Sequence, residues 1–242
     1  MINKSKMFIK TKYRTDDPEI IDDFDLGGDV LKESLDKIAQ INQLLGGNKL
    51  TLKGVEKLLK KVPSLNLITI VDVGCGNGDM LRKLADFGVR NNLNFELVGI
   101  DANKYTVNYA NVLSKNYSNI KYRCEDVFSE SFSELKYDIV LFTLTLHHFE
   151  NKEIVEILNL FNTNSKFGLV INDLHRSIIA YRLFQVICFV FRLNEMSRKD
   201  GLTSILRGFK KRELLEFSEN LKFKKYSIKW KWAFRYQWII EK

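Results

Sequence analysis

Three glycines at every second position, with an acid just ahead of them, form the stretch with the clearest chemical potential. Ile70–Met80 reads IVDVGCGNGDM, in which Gly74, Gly76 and Gly78 follow an apolar run and Asp72 precedes them. A phosphate-binding P-loop needs GxxxxGK followed by Ser or Thr, and a dinucleotide fingerprint needs GxGxxG. Asp72 would repel a pyrophosphate lying close to the turn but would attract a cationic amine. The loop therefore predicts a ligand without phosphates and with positive charge.

Two further acids stand where later apolar strands are expected to end. Asp101 belongs to VGIDAN (Val98–Asn103), and Asp126 belongs to CEDVF (Cys124–Phe128). At the carboxyl edge of a doubly wound sheet, an acid such as Asp101 can accept hydrogen bonds from ribose hydroxyls. A carboxylate at Asp126 can accept one from an exocyclic adenine amine. Leu141–Phe149, LFTLTLHHF, runs from another strand end into a polar turn beside the same crevice.

The chain has three histidines, so candidates for a general base are few. His147 and His148 follow the fourth expected strand, and His175 follows the fifth. Any of them can deprotonate an acceptor hydroxyl near neutral pH. The alternative for His147 and His148 is a scaffold role in the turn, and for His175 a role without substrate contact. Arg176 either holds a phenolate or carboxylate of the substrate or faces solvent.

Strands alternate with helices along most of the chain, which predicts a parallel sheet covered on both faces and connected by right-handed crossovers. The expected strands are Leu67–Val73, Phe95–Ile100, Ile120–Cys124, Tyr137–Phe142 and Phe167–Ile171, followed by an antiparallel hairpin of Lys222–Trp230 and Ala233–Ile240. The expected helices are Asp29–Leu45, Leu52–Val62, Asp79–Asn91, Lys104–Lys115, Lys152–Phe161 and Lys210–Asn220. The first two form an N-terminal helical cap.

Ser177–Leu193 is strongly apolar but is interrupted by Arg182. Its length falls short of the roughly 20 residues that a membrane span needs. We interpret it as a buried helix that covers a pocket, and we expect no stable membrane span. Arg14, in the N-terminal cap, reaches the cofactor carboxylate if that segment folds over the site, or is otherwise solvated.

Bulk composition limits the function further. The 242 residues are 45% apolar, with a formal net charge of +8 and a pI of about 9.2. The lysines are spread along the chain, so a generally basic surface is favoured over a nucleic-acid partner. An odd number of cysteines without a CxxC pair indicates neither a disulfide framework nor a metal site. The N-terminus lacks the apolar stretch of a signal peptide, so a cytoplasmic protein is expected.

The motifs VDVGCGNG, VGIDAN, CEDVF and FTLTLHHF, in this order and spacing over Ile70–Asp173, resemble those of class I S-adenosylmethionine-dependent methyltransferases. The resemblance implies an α/β, Rossmann-like, doubly wound seven-stranded sheet with a reversed last strand, which agrees with the hairpin. The segments RTDDPEIIDDFD, NDLHRS, LRGFKKRELLEF and IKWKWAFRYQWII resemble the small-molecule branch that methylates quinones, polyketides and other secondary metabolites.

The resemblance also implies which residues bind S-adenosylmethionine. The glycines pass close to its methionine part, Asp72 helps to hold the ammonium, Asp101 takes the ribose hydroxyls, and Asp126 with the Val127 amide reads the adenine. The complete expected set is Asp72, Gly74, Cys75, Gly76, Gly78, Asp101, Ala102, Asp126, Val127 and Thr143. In this scheme residues 1–63 form a cap or lid, residues 64–242 form the methyltransferase domain, and residues 174–207 cover the substrate.

The leading hypothesis is methyl transfer to a hydroxyl oxygen of a small aromatic or polyketide-like acceptor. Its neighbour is C-methylation of a quinone-like ring. The positive charge keeps an RNA or protein methyltransferase open, although FTLTLHHF differs from the Asn/Asp-Pro-Pro-aromatic turn of enzymes that methylate adenine amines. A protein that binds S-adenosylmethionine without transferring its methyl group is a third alternative. The sequence does not predict the oligomeric state.

Overall fold

The computed structural model describes residues 9–60, 67–129 and 136–242. Seven strands form one sheet in the order β3-β2-β1-β4-β5-β7-β6. They are β1 (Ile68–Val73), β2 (Phe95–Asp101), β3 (Ile120–Cys124), β4 (Tyr137–Thr143), β5 (Ser165–Leu174), β6 (Lys225–Lys231) and β7 (Arg235–Glu241). Strands β1 to β5 are mutually parallel, and β7 runs antiparallel to both β5 and β6. The expected seven-stranded sheet with a reversed last strand is confirmed.

Eight helices surround this sheet in the described part of the chain. They are α1 (Asp29–Leu44), α2 (Gly47–Leu59), α3 (Asp79–Arg90), α4 (Lys104–Leu113), α5 (Asn151–Asn164), α6 (Ile178–Val190), α7 (Glu195–Arg207) and α8 (Lys211–Asn220). Most bounds differ from the sequence expectation by a few residues. Helix α2 begins five residues earlier than expected, because Gly46 turns the chain with a φ of +76° directly after α1. The expected end of α2 near Pro63 lies outside the described residues.

The core lies on both faces of the sheet, because apolar side chains point alternately to either side of each buried strand. Val71 and Val73 pack towards α5 and α8, whereas Ile68 and Ile70 pack towards α2 and α3. Helix α2 therefore belongs to the layer that covers the sheet, rather than to a separate cap with α1. A Cβ on Gly54 of α2 would overlap Val170 of β5, which shows how close this helix approaches the sheet.

From β1 the sheet continues through β2 to β3 on one side, and from β4 it continues through β5 on the other side. The direction in which successive strands are added therefore reverses between the neighbours β1 and β4. In open α/β sheets, a ligand crevice forms outside the carboxyl ends of the strands at such a switch point. The segment Arg14–Asp25, which we call the strap, crosses above this crevice and is fixed to α7. Helices α6 and α7 follow β5 as the expected helical insertion.

Helix α6 differs from its expected environment. Only Ala180 and Cys188 are buried in it, and Phe189 is 85% exposed. The expectation of a buried helix was wrong for its outer side, although the inner side does line a cavity. No helix in the described ranges is long and apolar enough to cross a bilayer.

Candidate functional site

A cavity of about 790 Å³ opens at the carboxyl edge of the sheet. Its size suits a small-molecule or cofactor site, for which several hundred Å³ are typical. All of the residues expected to bind cofactor line this cavity, except Gly78. His147, His148 and His175 line it as well. The structure therefore brings together, in one space, residues that lie up to about a hundred positions apart in the sequence.

The glycine loop forms the floor of this cavity. Gly74, Gly76 and Gly78 all adopt positive φ angles, +67°, +53° and +77°, which glycine tolerates without steric cost. A Cβ on Gly78 would overlap the Tyr122 hydroxyl, so this glycine permits close packing under the turn. A Cβ on Gly76 would meet only the Leu35 side chain within 4 Å, at an ordinary van der Waals distance of 3.8 Å. Gly76 thus leaves room for a ligand to lie against the backbone.

Asp72 is the most deeply buried acid beside the loop, with 2% of its surface exposed. Its Oδ1 atom has no hydrogen-bond partner among the described residues. Burial, with Asp79 and Asp101 nearby, raises the pKa of the Asp72 carboxyl well above its usual value. A buried carboxyl without a counter-charge is costly, and a ligand ammonium would satisfy it. This orphaned oxygen fits the amine that the sequence predicted.

Asp101 lies at the end of β2 and faces the loop. Its Oδ2 accepts a hydrogen bond from the Gly76 amide at 3.1 Å, and its Oδ1 accepts one from the Asn103 amide at 3.1 Å. Burial raises the pKa of Asp101 to about 6, although these two amide bonds act in the opposite direction. Each oxygen keeps a free lone pair, so the carboxylate can still accept from two neighbouring hydroxyls.

Asp126 occupies the next position along the edge, beyond β3. It is exposed, and its Oδ1 accepts a hydrogen bond from the Phe128 amide at 3.0 Å. Val127 beside it is buried against the core. Across the cavity, Thr143 ends β4, and its hydroxyl lies 3.2 Å from that of Thr51. These side chains lie at the edge where the sequence places the adenine and sulfonium ends of the ligand.

His147 is buried and has the most fully defined surroundings of the three histidines. Its Nδ1 lies 2.6 Å from Asp173 Oδ1, and its backbone amide donates to Asp173 Oδ2 at 3.1 Å. Contact with His147 lowers the pKa of Asp173 despite burial, so the acid is ionised and Nδ1 must carry the hydrogen. The Nε2 atom is left without a hydrogen-bond partner and lies 3.6 Å from Glu19 Oε1, which is also unpartnered.

His148 and His175 are held differently. His148 Nδ1 lies 2.6 Å from Asp22 Oδ1. Burial alone would lower the pKa of His148, but Glu19 and Asp22 outweigh it and raise the pKa. The protonated form so favoured has no lone pair to accept a proton.

His175 Nδ1 accepts a hydrogen bond from Trp230 Nε1 at 3.1 Å, which places the hydrogen of the neutral ring on Nε2. Burial, with Lys210 and Arg176, lowers the pKa of His175.

Arg176 does not reach the cavity. Its side chain is fully buried on the other side of the chain, where it forms an ion pair of 2.5 Å with Glu213. It also donates to the backbone oxygens of Gly208, Thr11 and Lys12. The expectation that Arg176 contacts substrate or faces solvent was wrong. The guanidinium instead joins the start of the chain to the turn before α8.

Arg14 is half-buried and does not line the cavity. Its guanidinium donates to the carbonyl oxygens of Arg207, His147 and Phe149 at 2.7 to 2.8 Å. It also stacks on Phe209 at 4.8 Å. Burial lowers the pKa of Arg14 to about 10. Arg14 therefore anchors the strap beside the turn that carries His147 and His148.

The strap supplies residues that the sequence did not single out. Glu19 and Asp22 line the cavity next to the two histidines. Asp22 Oδ2 pairs with Arg207 Nη1 at 2.7 Å, and Ser204 Oγ donates to Glu19 Oε2 at 2.5 Å. Asp200 of α7 accepts from the backbone amides of residues 20 and 21. The only signal in the sequence was the density of acids in RTDDPEIIDDFD, which does not indicate what they contact.

Glu19, His147 and His148 also place one potential metal-ligating atom each within 4.8 Å of one another. Two observations favour a proton network at this cluster. The Arg207 guanidinium lies 4.0 Å from Glu19 Oε1 and pairs with Asp22, so it would repel a cation. Asp22 already occupies the His148 nitrogen that lies nearest to Glu19.

A family model described as a methyltransferase domain matches residues 65–229. The chain belongs to this family. It is a class I S-adenosylmethionine-dependent methyltransferase, and its cofactor is S-adenosylmethionine. The methyltransferase has an orphaned Asp72 oxygen that could accept from an ammonium and a Gly76 backbone that a ligand can approach closely, and both fit this cofactor. No curated protein matches the sequence.

Solved structures show the same fold. The plantazolicin methyltransferase BpumL in complex with SAH is 18% identical, with a TM-score of 0.62 over 86% of this chain and 88% of that one. Magnesium protoporphyrin IX methyltransferase (ChlM) from Synechocystis PCC 6803 with bound SAH is 17% identical, with a TM-score of 0.52 over 81% and 82%. The CurJ carbon methyltransferase is 14% identical, with a TM-score of 0.58 over 79% and 53%.

Proposed function

We propose that this methyltransferase methylates a hydroxyl oxygen of a small aromatic or polyketide-like acceptor, with His147 as the general base. The observation that carries the proposal is the orientation of the His147 ring. Asp173 fixes its Nδ1 hydrogen, its buried Nε2 has no hydrogen-bond partner among the described residues, and His147 is one of the residues that line the cavity. His148 also directs its Nδ1 at a carboxylate, that of Asp22, but its raised pKa favours the protonated ring, and His175 Nδ1 already accepts a hydrogen bond from Trp230.

The shape and polarity of the wall support an apolar acceptor. The apolar part of the cavity lining includes Leu183, Phe184 and Ile187 of α6, and Trp232 and Phe234 of the β6–β7 turn. Aromatic and aliphatic side chains of this kind line most small-molecule pockets. The plantazolicin and CurJ enzymes, which share the fold, are named for products of secondary metabolism, and this agrees with such an acceptor.

Each residue has a defined part in the reaction. S-adenosylmethionine, when bound, supplies a methyl group already activated by its sulfonium. His147 Nε2 removes the hydroxyl proton as the acceptor oxygen bonds to the methyl carbon and the old carbon–sulfur bond breaks, with its electron pair left on sulfur. Asp173 stabilises the imidazolium that forms, as does Glu19 at 3.6 Å. The strap and α6 exclude water, so most of the remaining catalysis comes from positioning.

The same groups would also serve C-methylation of a quinone-like ring, since a hydroquinone hydroxyl loses its proton to the same base. The two outcomes differ in the bond formed. The test is to incubate the enzyme with methyl-labelled S-adenosylmethionine and separate panels of phenols, hydroquinones, polyketide alcohols, RNA and protein. Carbon–13 shifts of the product distinguish an O-methyl from a C-methyl group. Transfer to RNA or protein, or to no acceptor despite cofactor binding, would overturn the proposal.

A pair of histidine variants tests the base. His147→Ala should lower kcat by roughly 10²- to 10⁴-fold, the usual effect of removing a general base. His175→Ala serves as the matched control and should change kcat by less than about tenfold, since its lone pair already accepts from Trp230. His147→Asn keeps a donor for Asp173 and preserves the fold if alanine does not. A His147→Asn enzyme with wild-type kcat would exclude His147 as the base.

A further inference from the structure

The outer side of α6 is unusually apolar for a surface helix. Ile179, Val186, Phe189 and Val190 are all more than half exposed, and only Ala180 and Cys188 of the helix are buried. An isolated exposed apolar residue is normal, but a contiguous apolar patch marks a place where the protein meets something else. The sequence Ile178–Val190 contains no acidic residue.

The turn between β6 and β7 extends this patch. Trp232 at its tip is 66% exposed, and Trp230 is 48% exposed. Trp232 and Val186 line the same cavity, so the turn and α6 both border it. The Trp230 indole donates to His175, which stands just ahead of α6. We call the four α6 residues and Trp232 the apolar rim: Ile179, Val186, Phe189, Val190 and Trp232.

Positive charge flanks the α6 part of the apolar rim. Arg182 is exposed on α6 at helical spacing from Ile179 and Val186, which places it on the same side of the helix. Arg192 is exposed just beyond the end of α6. The full chain carries a net charge of +8. This charge is complementary to an anionic surface and opposes association with another copy of the same face.

We propose that α6 and the β6–β7 turn dock on the surface of an anionic lipid bilayer. An apolar helical face flanked by Arg and Lys binds in the plane of the bilayer interface, where the apolar side chains enter the acyl boundary. Arginine keeps its guanidinium among headgroups while its stem lies on apolar surface, and tryptophan is enriched at the same depth. The described helices are too short to span, so the contact is with one leaflet.

Docking would also affect the route by which the acceptor enters the cavity, and this part of the inference rests on the proposed function. Because Val186 and Trp232 border the cavity, the opening faces the lipid when α6 is docked. A lipophilic acceptor can then enter from the bilayer without crossing water. Docking itself needs no methyl transfer, so the two proposals fail independently.

Vesicle sedimentation of the full chain tests docking. Wild-type protein should pellet with vesicles of phosphatidylglycerol mixed with phosphatidylcholine, and binding should weaken with pure phosphatidylcholine or at high salt. Phe189→Asp/Val190→Asp should lower the partition coefficient roughly tenfold or more, since two apolar side chains leave the bilayer. Neither residue lines the cavity, so affinity for S-adenosylmethionine should stay within about twofold. Arg182→Ala/Arg192→Ala should lower binding roughly fivefold for each charge removed.

Val89→Asp/Val112→Asp is the matched control. These valines are 80% and 65% exposed, close to the 85% and 65% of Phe189 and Val190, but they lie on α3 and α4. The control should bind vesicles like the wild type. Wild-type protein that stays in solution with anionic vesicles would overturn docking, as would equal loss of binding in the control. The alternative occupant of the apolar rim is a second copy of the chain, and light scattering tests it. A dimer that Phe189→Asp/Val190→Asp converts to monomers, in a protein that does not bind vesicles, would overturn docking and assign the rim to that second copy.

Discussion

Two walls of the cavity are built in different ways. In line with the proposed function, we call the wall with Asp72, Asp101 and Asp126 the cofactor side, and the wall with the strap and His147 the acceptor side. On the cofactor side, Asp72, Asp101 and Asp126 lie on or just after consecutive parallel strands, and their positions follow from the sheet. On the acceptor side, the strap, the turn at His147 and helix α7 are joined by side-chain contacts between residues that lie 60 to 185 positions apart. The difference suggests that cofactor binding and acceptor turnover can be separated by mutation, since the first depends on the sheet and the second on the strap.

The largest separation is expected from Asp101→Ala. The change removes a carboxylate that can accept two ribose hydroxyls, and each bond to a charged group contributes about 1.5–3 kcal/mol. Affinity for S-adenosylmethionine should fall roughly 10²-fold in titration calorimetry. Asp25→Ala, an exposed acid of the strap, is the control and should bind normally. An unchanged affinity in Asp101→Ala would mean that the cofactor side has been assigned to the wrong residues.

Arg14→Ala is the converse experiment. Without its guanidinium, three backbone oxygens near the turn lose a donor, and the free energy of unfolding should fall by about 1–3 kcal/mol. Acceptor turnover should fall too, while affinity for the cofactor should change less than about twofold, because Arg14 does not line the cavity. Arg212→Ala removes an exposed pair with Glu216 and should cost less than about 0.5 kcal/mol in urea unfolding. An equal loss of unfolding free energy in Arg14→Ala and Arg212→Ala would show that Arg14 does not fix the strap.

Asp72 gives the cofactor side a distinctive dependence on pH. Burial raises the pKa of this carboxyl in the free protein, and a bound ammonium lowers it again, so cofactor binding should release a proton. Affinity should then rise with pH, by up to about tenfold per unit, until the raised pKa is passed. Calorimetry in buffers of different ionisation enthalpy counts the released proton. Asp72→Asn should bind the cofactor without that release; proton uptake in the wild type would contradict the assignment.

The smallest effect should come from His148 on the acceptor side. Because its pKa is raised by Glu19 and Asp22, its contribution to stability is complete below the unfolded pKa of about 6.5. The contribution is lost as pH rises through the higher folded pKa. Urea unfolding of the wild type and of His148→Gln should therefore differ most at mildly acidic pH and converge in alkali. A difference that grows with pH would show that the His148–Asp22 contact does not involve an imidazolium.

The sequence predicted that Asp72, Asp101 and Asp126 meet at one cavity, and the reason is physical. Strand ends of a parallel sheet meet at one edge, so the residues after Val73, Ile100 and Cys124 converge whatever the loops do. The acceptor side has no such rule. Glu19 lies 3.6 Å from His147, yet nothing periodic connects two positions so far apart in the chain.

Two errors show where local patterns stop being informative. His175 and Arg176 both follow β5, but side chains of an extended chain alternate, so one faces the cavity and the other is buried on the opposite side. The apolar composition of α6 predicted burial, because composition does not reveal whether another element covers the helix. Only the arrangement of α7 and the β6–β7 turn shows that one side stays open.

The strap also has a consequence for how the enzyme matures. The Arg14 guanidinium bonds to the Arg207 carbonyl, and the Thr15 amide bonds to that of Leu206, which closes a loop of nearly the whole chain. Such distant contacts carry the largest closure entropy and form late, whereas the β1–α3–β2 unit with its glycine loop can assemble from neighbouring segments. The β1–α3–β2 unit is therefore expected to form before the strap closes over the cavity, so the strap is the last part of the site to become ordered.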